Sequence, residues 1–489
     1  MACEQVNLSG AQNSVVSRRS SAIAVGEQEG GDDERRVLRF EEGTLVLRGA
    51  SLEAPVPGPG WVYDRRVEAW RAPAWRYRQV LAALIRGGVS FEDEARGYEA
   101  QELQIGGRRF KPYEHQSQAL EAWLEGGRRG LVVLPTGAGK SYVAALAIEA
   151  VGRTALVVVP TIDLMTQWVG NLEAFFGAPI GMLGGGYHQV EALTVSTYDS
   201  AAIHMARLGG RFGLMIFDEA HHLPGEVYRQ AALQSIAPFR LGLTATPERA
   251  DGKERDLDEL VGPENFRRSI KELSGDVLAD YEVRTLEVGM GEEDRALYDE
   301  ARGIYRGFVE SQGIRLGGRF GWRNFLAATS RSDQGRRALK AYQLQKRLAL
   351  VHDQKLRLLY ELLDEHPEER VLIFTNDNAS VYAISEALLC PAITHETKIK
   401  ERRAILERVR QGSYRVLVTS KVLNEGVDIP EASVAVILAG SGSVREHVQR
   451  LGRILRRAEG KRALLYELIT ADSMEGYVSQ RRREHDAYQ

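Results

Sequence analysis

Short apolar segments alternate with stretches of helical spacing along most of this 489-residue chain. The first series contains GLVVLP, TALVVVPT, ALTVSTY, FGLMIFDEA and RLGLTATP, and the second contains ERVLIFTND, YRVLVTSKV, SVAVILAG and ALLYELI. Apolar strands separated by helices are typical of parallel sheets that helices cover on both faces. The pattern therefore predicts an α/β fold with two doubly wound parallel-sheet domains.

The remaining segments flank or separate these two domains. Residues 1–36 are rich in Ser, Gly, Gln and Glu, with little apolar content to bury, and are predicted to be a disordered tail. Residues 37–105 combine strand-like alternation with one helical pattern and predict a small N-terminal α/β domain. We predict the first doubly wound domain over 106–285, a helical insert over 286–349 and the second doubly wound domain over 350–489.

The composition excludes several classes of protein. The two cysteines, Cys3 and Cys390, lie far apart, and no CxxC or Cys/His cluster suggests a zinc or iron–sulfur site. A reducing compartment fits this use of cysteine. No apolar run approaches the roughly 20 residues that a membrane helix needs, and the N-terminus lacks a signal-peptide pattern. The sequence predicts a cytoplasmic protein with no membrane partner.

The segment LPTGAGKS is a candidate phosphate-binding loop between an apolar strand and a helix. Its glycines let backbone N–H groups turn inward around phosphate oxygens, and the helix N-terminus adds the positive end of its dipole. Leu134 replaces the usual first glycine of the motif, and the alternative is a glycine turn with an exposed lysine. We expect Lys140 to reach the β and γ phosphates and Ser141 to bind Mg²⁺. The candidate ATP-binding residues of the loop are Thr136, Gly137, Ala138, Gly139, Lys140 and Ser141.

Two adjacent acids end the apolar strand FGLMIFDEAHH. Ligands bind at the carboxyl ends of strands in sheets of this kind. Asp218 is placed to hold Mg²⁺ through water, and Glu219 to orient and deprotonate the attacking water. His221 is a candidate relay between the γ-phosphate and neighbouring motifs, and the alternative is a histidine bonded to the backbone where a helix starts. A solvated acidic loop is the alternative for the two acids.

In order along the chain, these segments resemble the motifs of superfamily 2 helicases. LPTGAGKS resembles motif I, VVVPTIDL motif Ia, DEAH motif II, LTATP motif III, VLIFTND motif IV, TSKVLNEGVDIPEA motif V and QRLGRILR motif VI. The resemblance runs from about Phe110 to about Glu475, and its C-terminal part closely resembles the XPB-type DNA repair helicases in a short prokaryote-like form. It implies two RecA-like domains, ATP and Mg²⁺ as cofactors, and 3′-to-5′ polarity on DNA.

The resemblance assigns further residues to the ATP site. In this family the motif VI helix belongs to the second RecA-like domain and faces the ATP held by the first. Gln449, Arg453 and Arg456 match the positions that touch the γ-phosphate, and such arginine fingers are worth on the order of 10³–10⁵ in rate. Gly426 and Asp428 match motif V positions that line the nucleotide and couple it to DNA.

One residue upstream of the loop matches the glutamine that reads the edge of adenine. This residue is Gln116 in the segment FKPYEHQSQAL. Phe110 and Tyr113 are candidates to stack on the base, and core packing is the alternative for both.

Other matching residues belong to the DNA path. Thr161, Thr197 and Thr375 match positions that hydrogen-bond the backbone of the strand, contacts that carry no sequence information. The family also has an Arg-Glu-Asp triplet after motif III, and this chain has Arg249–Asp251 with Ala250 at its centre. The absence of the glutamate puts in doubt a strand-separating role that needs the full triplet. In the family, a domain in the place of residues 37–105 contacts damaged or distorted DNA.

The helical insert carries an unusual concentration of charge. Between Gly313 and Arg347 lie nine Lys or Arg residues and one Asp, a net charge of +8 in a chain whose formal net charge is −3. Cations neutralise phosphates, and aromatic faces stack on unpaired bases for about 1–3 kcal/mol each. XPB-type proteins have a DNA-gripping helical thumb here, and the alternative is that the aromatics form its core. The candidate DNA-binding residues are Arg249, Asp251, Arg319, Trp322, Arg323, Arg336 and Arg337.

The sequence thus predicts an ATP-dependent DNA helicase or translocase that couples hydrolysis to unwinding in DNA repair. Its expected partners are forked, single-stranded or damaged duplex DNA, with a repair nuclease or repair complex as a further partner. One alternative is a double-stranded DNA translocase or restriction-type motor subunit that does not unwind. Another, from a different class, is a DNA-binding scaffold that ATP switches between conformations. RNA as a substrate stays open, because no motif reports on the 2′-OH.

Overall fold

A computed structural model describes residues 36–475 with gaps at 53–55, 108–109, 250, 276, 317–319, 421–431, 439–461 and 474. Residues 1–35 of the predicted tail and residues 476–489 lie outside the described residues. The site predictions that also lie outside them are Ala250, Arg319, Gly426, Asp428, Gln449, Arg453 and Arg456.

The N-terminal domain is a twisted five-stranded sheet with one helix. Its strand order is β3-β4-β2-β1-β5, and β1 and β2 form an antiparallel hairpin whose turn contains Gly43. A cluster of buried side chains that includes Leu38, Leu47, Val80 and Leu84 fills the space between sheet and helix. The elements are β1 Val37–Glu41, β2 Thr44–Arg48, β3 Val62–Asp64, β4 Ala69–Pro73, α1 Tyr77–Arg86 and β5 Glu92–Asp93.

The first α/β domain is built on an eight-stranded sheet of order β13-β6-β12-β11-β7-β10-β8-β9, parallel except for β9. Every residue of β7, β10 and β11 is buried, as expected for strands that helices cover on both faces. Its helices are α2 Glu114–Glu125, α3 Lys140–Val151, α4 Ile162–Phe176, α5 Tyr198–Leu208, α6 Gln230–Leu233, α7 Asp256–Leu260 and α8 Ile270–Leu273. Its strands are β6 Arg129–Val133, β7 Ala155–Val159, β8 Ile180–Gly184, β9 Tyr187–Gln189, β10 Leu193–Thr197, β11 Leu214–Asp218, β12 Phe239–Thr244 and β13 Glu264–Arg267.

The N-terminal domain packs on the amino-terminal ends of the strands of the first α/β domain. The Gly97 N–H donates to Gly210 O (3.0 Å), and the Arg78 guanidinium donates to Pro238 O (3.4 Å). Gly210 and Pro238 precede β11 and β12, and Ile236 joins the core of the N-terminal domain. This contact leaves the opposite, carboxyl edge of the sheet open for ligands.

The second α/β domain is a six-stranded parallel sheet of order β14-β19-β18-β15-β17-β16. Its first strand, β14, pairs with the last along its whole length. The predicted boundary at residue 285 therefore falls inside a strand of the second sheet, because the chain crosses to that sheet before it enters the helical insert. The strands are β14 Asp280–Val288, β15 Val371–Phe374, β16 Ala392–Ile393, β17 Val416–Thr419, β18 Val434–Ile437 and β19 Arg462–Thr470.

Three helices form the insert, which we call the thumb: α9 Glu292–Ser311, α10 Gly321–Thr329 and α11 Asp333–Leu350. Phe308, Phe325 and Ala338 form its small buried core. Helices α12 Asp353–Glu365, α13 Asn378–Leu388 and α14 Ile399–Arg410 then complete the second α/β domain. The predicted fold class, two parallel-sheet α/β domains with a small N-terminal domain and a helical insert, is confirmed. No described helix is both long and apolar enough to cross a membrane.

Candidate nucleotide and nucleic-acid site

The predicted phosphate loop lies between β6 and α3, at the carboxyl edge of the first sheet. Gly137 and Gly139 have left-handed backbone angles (φ +91° and +79°), and Gly139 is the residue from which α3 starts. Lys140 Nζ donates to Leu134 O (3.2 Å) and Pro135 O (3.3 Å), so the ammonium group lies across the loop. The Lys140 ammonium group can donate to phosphate oxygens in place of these carbonyl oxygens, because both kinds of oxygen accept the same N–H groups.

Gln116 lies against this loop. Its amide Oε1 accepts the Tyr113 N–H (3.0 Å), and its Nε2 donates to Ala138 O (3.2 Å). A Cβ at Gly139 would lie 2.3 Å from that Nε2, so the close approach requires glycine. Each end of the amide retains one further hydrogen-bonding capacity. Recognition of adenine by Gln116 stays a prediction, and the structure adds a contact that holds the loop.

The two aromatic candidates for base stacking flank the start of α2. Tyr113 is about half exposed, and Phe110 is similarly exposed while its ring meets Tyr142 edge-to-face at 5.7 Å. The Tyr142 hydroxyl donates to Phe110 O (2.6 Å), which ties this segment to α3. Both rings are thus partly exposed near the start of α2, the Tyr113 ring stacks on His115 at 5.8 Å, and stacking on a base stays a prediction.

Asp218 occupies the end of β11 and is nearly fully buried. Its Oδ2 accepts the indole N–H of Trp168 on α4 (2.8 Å), and its Oδ1 accepts the Glu219 N–H (3.0 Å). Burial raises the pKa of Asp218 to about 6, and the negative charge of Glu219 adds to this while nearby Lys140 opposes it. The sequence analysis did not identify Trp168. The available signal was its position on the helix that follows motif Ia, seven residues after Thr161.

Glu219 has a strained backbone for a residue with a side chain, with φ +47° and ψ +53°. Its Oε2 is buried, has no hydrogen-bond partner among the described residues and lies 3.5 Å from His221 Nδ1. Such backbone strain costs on the order of 1–3 kcal/mol and recurs at functional sites. The turn thus leaves a buried acceptor without a hydrogen-bond partner, among the described residues, at the end of β11.

His221 connects motif II to motif III. Its Nδ1 lies 3.2 Å from Thr244 Oγ1 at the end of β12, and that hydroxyl donates to Thr246 O (3.1 Å). The Arg249 guanidinium donates to His221 O and forms a two-pronged ion pair with Asp251, with both contacts at 2.8 Å. His221 thus contacts Thr244 and Arg249 and lies close to Glu219, and its role as a relay stays a prediction.

The donor set suits Mg²⁺ bound with a nucleotide. Mg²⁺ uses hard oxygen ligands and keeps water and phosphate oxygens in its shell, so a few protein oxygens suffice. Asp218 supplies a carboxylate, and both Thr136 Oγ1 and Glu219 Oε2 are buried acceptors without a hydrogen-bond partner in the described part of the chain. Over the same residues, no group of three or more His, Cys, Asp or Glu side chains could hold a metal ion alone.

The three threonines predicted to contact DNA lie at carboxyl ends of strands. Thr161 and Thr197 are the N-caps of α4 and α5, where their hydroxyl oxygens accept the N–H of Leu164 (3.2 Å) and of Ser200 (3.3 Å). Thr375 is buried in the second domain, and its hydroxyl donates to Asp377 O (3.1 Å). The structure gives each hydroxyl a local role, and contact with a strand stays a prediction.

The thumb separates its aromatic residues into two groups. Phe325 is fully buried, whereas Trp322 is 44% exposed and Phe320 50% exposed. Arg323 lies over the Phe320 ring at 4.5 Å. Arg336 and Arg337 are exposed on α11, and Arg336 forms an ion pair with Asp333. Trp322 is thus partly exposed although it packs against Phe325 (5.2 Å) and Tyr342 (4.9 Å), and contact of the thumb with DNA stays a prediction.

Comparison with known proteins places these features in a family. Residues 38–95 match the Xeroderma pigmentosum group B helicase damage recognition domain, residues 109–249 the res subunit of type III restriction enzymes, and residues 354–458 the helicase conserved C-terminal domain. Two solved structures share the fold: the Hef helicase domain of Pyrococcus furiosus (TM-score 0.50, 19% identity, 75% of this chain and 97% of that one) and Saccharomyces cerevisiae Dbp5 bound to RNA and ADP BeF3 (TM-score 0.52, 15% identity, 78% and 89%).

Named relatives align with most of this chain. The DNA 3′-5′ translocase XPB2 of Sulfurisphaera tokodaii is 38% identical over 91% of this chain and 99% of its own length. The DNA 3′-5′ helicase XPB of Mycobacterium tuberculosis is 32% identical over 90% and 74%. A Saccharomyces cerevisiae relative, a helicase/translocase subunit of general transcription and DNA repair factor IIH, is 26% identical over 76% and 43%.

The phosphate loop, the carboxylate pair and the two RecA-like domains define an ATP-dependent helicase of superfamily 2. Within that class the matched domains and relatives are more specific. The chain belongs to the XPB-type DNA helicases.

Proposed function

We propose that the protein is an ATP-dependent 3′-to-5′ DNA helicase or translocase that acts in DNA repair. One observation carries the catalytic part of the proposal: next to Asp218, Glu219 has a strained backbone and a buried carboxylate oxygen without a hydrogen-bond partner in the described part of the chain. A scaffold switched by ATP has no need of a water-activating carboxylate. The family of the chain supports the assignment to DNA.

Hydrolysis follows from the geometry of the first domain. The amides of the loop and Lys140 hold the β and γ phosphates, and Glu219 accepts a proton from the water that attacks the γ-phosphorus while the ADP oxygen leaves. Bound Mg²⁺, held by Ser141 and Asp218 partly through water, supplies charge neutralisation for the phosphates. Arg453 and Arg456, which lie outside the described residues, are proposed as arginine fingers because they match the family positions that touch the γ-phosphate.

The DNA path follows the carboxyl edge of the sheets and the thumb. Thr161 and Thr197 start α4 and α5 at that edge, so backbone amides and the positive helix ends face a phosphate backbone there. Trp322, which is partly exposed, offers ring surface to unpaired bases beside the cations of the thumb. The thumb thus binds single-stranded or forked DNA in this proposal.

Repair is the proposed cellular role. The N-terminal domain matches a damage recognition domain, and one relative is named as a subunit of a transcription and repair factor. We propose that damaged duplex is one substrate and that a repair nuclease or repair complex is a partner.

A translocase that does not unwind DNA is the second candidate. The Sulfurisphaera tokodaii relative is named a translocase, and this chain has Ala250 where the family has a glutamate in the triplet after motif III. A strand-displacement assay and a triplex-displacement assay on the same preparation separate the two. Displacement of the triplex strand without unwinding of a fork identifies the translocase.

The first test is steady-state ATP hydrolysis by the wild type and by Glu219→Gln, without nucleic acid and with forked DNA, blunt duplex, single-stranded DNA or RNA. We expect strong stimulation by DNA in the wild type and a loss of about 10²–10⁴-fold in the variant, the usual contribution of a general base. Glu226→Gln, an exposed acid nearby, is the control and keeps wild-type turnover.

Three results contradict the proposal. Equal ATP turnover with and without nucleic acid contradicts a nucleic-acid-dependent motor. Stimulation of turnover by RNA alone contradicts DNA as the substrate. Absence of turnover at saturating DNA points to the ATP-switched scaffold.

A further inference from the structure

Trp168, on α4, contacts the carboxylate of Asp218 at the end of β11. It lies seven residues after Thr161, which is two helical turns or about 10 Å along the helix at a rise of 1.5 Å per residue. The indole is 3% exposed, and its Nε1 donates to Asp218 Oδ2 at 2.8 Å. A buried neutral donor thus touches the side chain that binds Mg²⁺ in the proposed function.

A second helix reaches the same residue. The hydroxyl of Tyr198, the first residue of α5, donates to Asp218 O (3.1 Å), and the Glu219 N–H donates to Asp218 Oδ1 (3.0 Å). Each carboxylate oxygen therefore receives one protein donor and keeps a further acceptor site for a metal-bound water. With both oxygens engaged, the plane of the carboxylate is fixed before any ligand arrives.

We propose that Trp168 is a positioning residue for magnesium: its indole N–H holds Asp218 in the orientation that accepts a Mg²⁺-bound water. The inference rests on the proposed ATPase function. Residues that orient a metal ligand contribute about 10–100-fold to metal affinity or activity when they are removed. A purely structural indole would instead lower folding stability without changing the dependence on Mg²⁺.

The chain offers a matched control. Trp123 on α2 is also buried in the first domain, and its Nε1 donates to a backbone carbonyl, Arg240 O, at 3.0 Å. Trp168→Phe and Trp123→Phe each remove one buried indole donor and leave a ring. The two variants differ in the acceptor that loses its donor, which is Asp218 Oδ2 in Trp168→Phe and Arg240 O in Trp123→Phe.

The experiment measures binding of ADP labelled on the ribose by fluorescence anisotropy, on the full chain, in EDTA and across a Mg²⁺ titration. In the wild type we expect Mg²⁺ to tighten binding. In Trp168→Phe we expect the Mg²⁺ concentration for half of that effect to rise about 10-fold or more, with the affinity in EDTA unchanged. Excess Mg²⁺ restores the tight affinity, and Trp123→Phe follows the wild type.

A wild-type Mg²⁺ dependence in folded Trp168→Phe overturns the inference, and so does an equal loss of affinity in EDTA and Mg²⁺. If the phenylalanine variant does not fold, Trp168→Leu, which also lacks a donor, undergoes the same titration, with the same two outcomes deciding. Failure of the wild type to bind ADP under any condition contradicts the proposed function itself, and is thereby distinguished from failure of the inference.

Discussion

Arg402 on α14 donates a hydrogen bond of 2.9 Å from Nη1 to Asp163 Oδ2 on α4, and so joins the second α/β domain to the first. Both side chains are largely buried, and Arg402 Nη2 also donates to Thr397 O (3.3 Å). Asp163 stands two residues after Thr161 on the helix that also carries Trp168. One helix therefore contacts the opposite domain, starts at a residue of the predicted DNA path and contacts the carboxylate of Asp218, which we propose binds Mg²⁺.

We expect Arg402→Glu to lower kcat/KM for DNA-stimulated ATP hydrolysis about 5-fold. The contact favours the arrangement in which the two domains complete one site, and a coupling of about 1 kcal/mol is typical of a direct pair. The charge swap Asp163→Arg/Arg402→Glu should recover most of the loss in steady-state kinetics. Lys400→Glu makes the same charge change at an exposed position of α14 and should have no effect. If the double variant hydrolyses ATP with a kcat/KM as low as that of Arg402→Glu, the pair does not couple the two domains.

Gly139→Ala should weaken nucleotide binding about 10-fold or more. The new Cβ displaces the Gln116 amide from Ala138 O, and the backbone at φ +79° also disfavours a side chain. Gly88→Ala, in the N-terminal domain, is the control for a general loss of stability, because Gly88 has φ +66° and nothing within 4 Å of a Cβ. The measurement is the Kd of labelled ADP for both variants. Similar losses would mean that a general loss of stability, and not the change within the phosphate loop, is responsible.

Lys355 is fully buried and holds the end of the thumb to the second domain. Its Nζ donates to Ala349 O (3.1 Å) and Leu438 O (3.1 Å) and forms an ion pair of 2.5 Å with Glu475. We expect Lys355→Met to destabilise the second domain by about 3–5 kcal/mol, because it leaves a buried carboxylate without its partner charge.

Urea unfolding measures this cost. Lys355→Met/Glu475→Leu should recover most of the stability, since an apolar replacement of a buried pair is often neutral. Lys340→Met, at an exposed position of α11, is the control. A double variant no more stable than the single one would show that the backbone contacts of Lys355 dominate.

The stability of the protein should fall as the pH drops from about 6.5 to 4, in part through His352. Burial, assisted by the nearby charge of Lys355, lowers the pKa of His352 from its usual 6.5 to about 4. The unfolded chain therefore binds a proton in this window that the folded chain does not, so each step down in pH favours unfolding.

Thermal unfolding at pH 7.5 and pH 5 tests this linkage. His352→Gln should reduce the loss of Tm between the two values, and exposed His395→Gln should leave it unchanged. An undiminished loss in His352→Gln would assign the pH dependence to other groups.

The fold and the nucleotide loop could be predicted because their signals are local. Apolar strands alternate with helices, and the loop occupies consecutive residues. The bond from Trp168 to Asp218 joins positions 50 residues apart, which no local pattern reports. The capping by Thr161 and Thr197 was available from sequence, since Thr before a helical pattern is a common N-cap.

The helical insert illustrates a different limit. The distribution of charge along the sequence located the insert. The sequence does not show, however, whether an aromatic residue in a basic helix is buried or exposed. Only the packing of α10 between α9 and α11 separates buried Phe325 from exposed Trp322. Likewise, the place of β14 in the second sheet depends on a partner strand about 180 residues later.

That pairing affects the order in which the chain can fold during synthesis. β14 emerges from the ribosome long before β19, and at about 5–20 residues per second the wait is roughly 10–40 s. The first α/β domain can complete its sheet in this interval, whereas β14, an edge strand that mixes charged and apolar residues, stays unpaired until β19 has been made. Truncation shortly before residue 462 removes the strand that pairs with β14, so nonsense products of this length are candidates for aggregation and degradation.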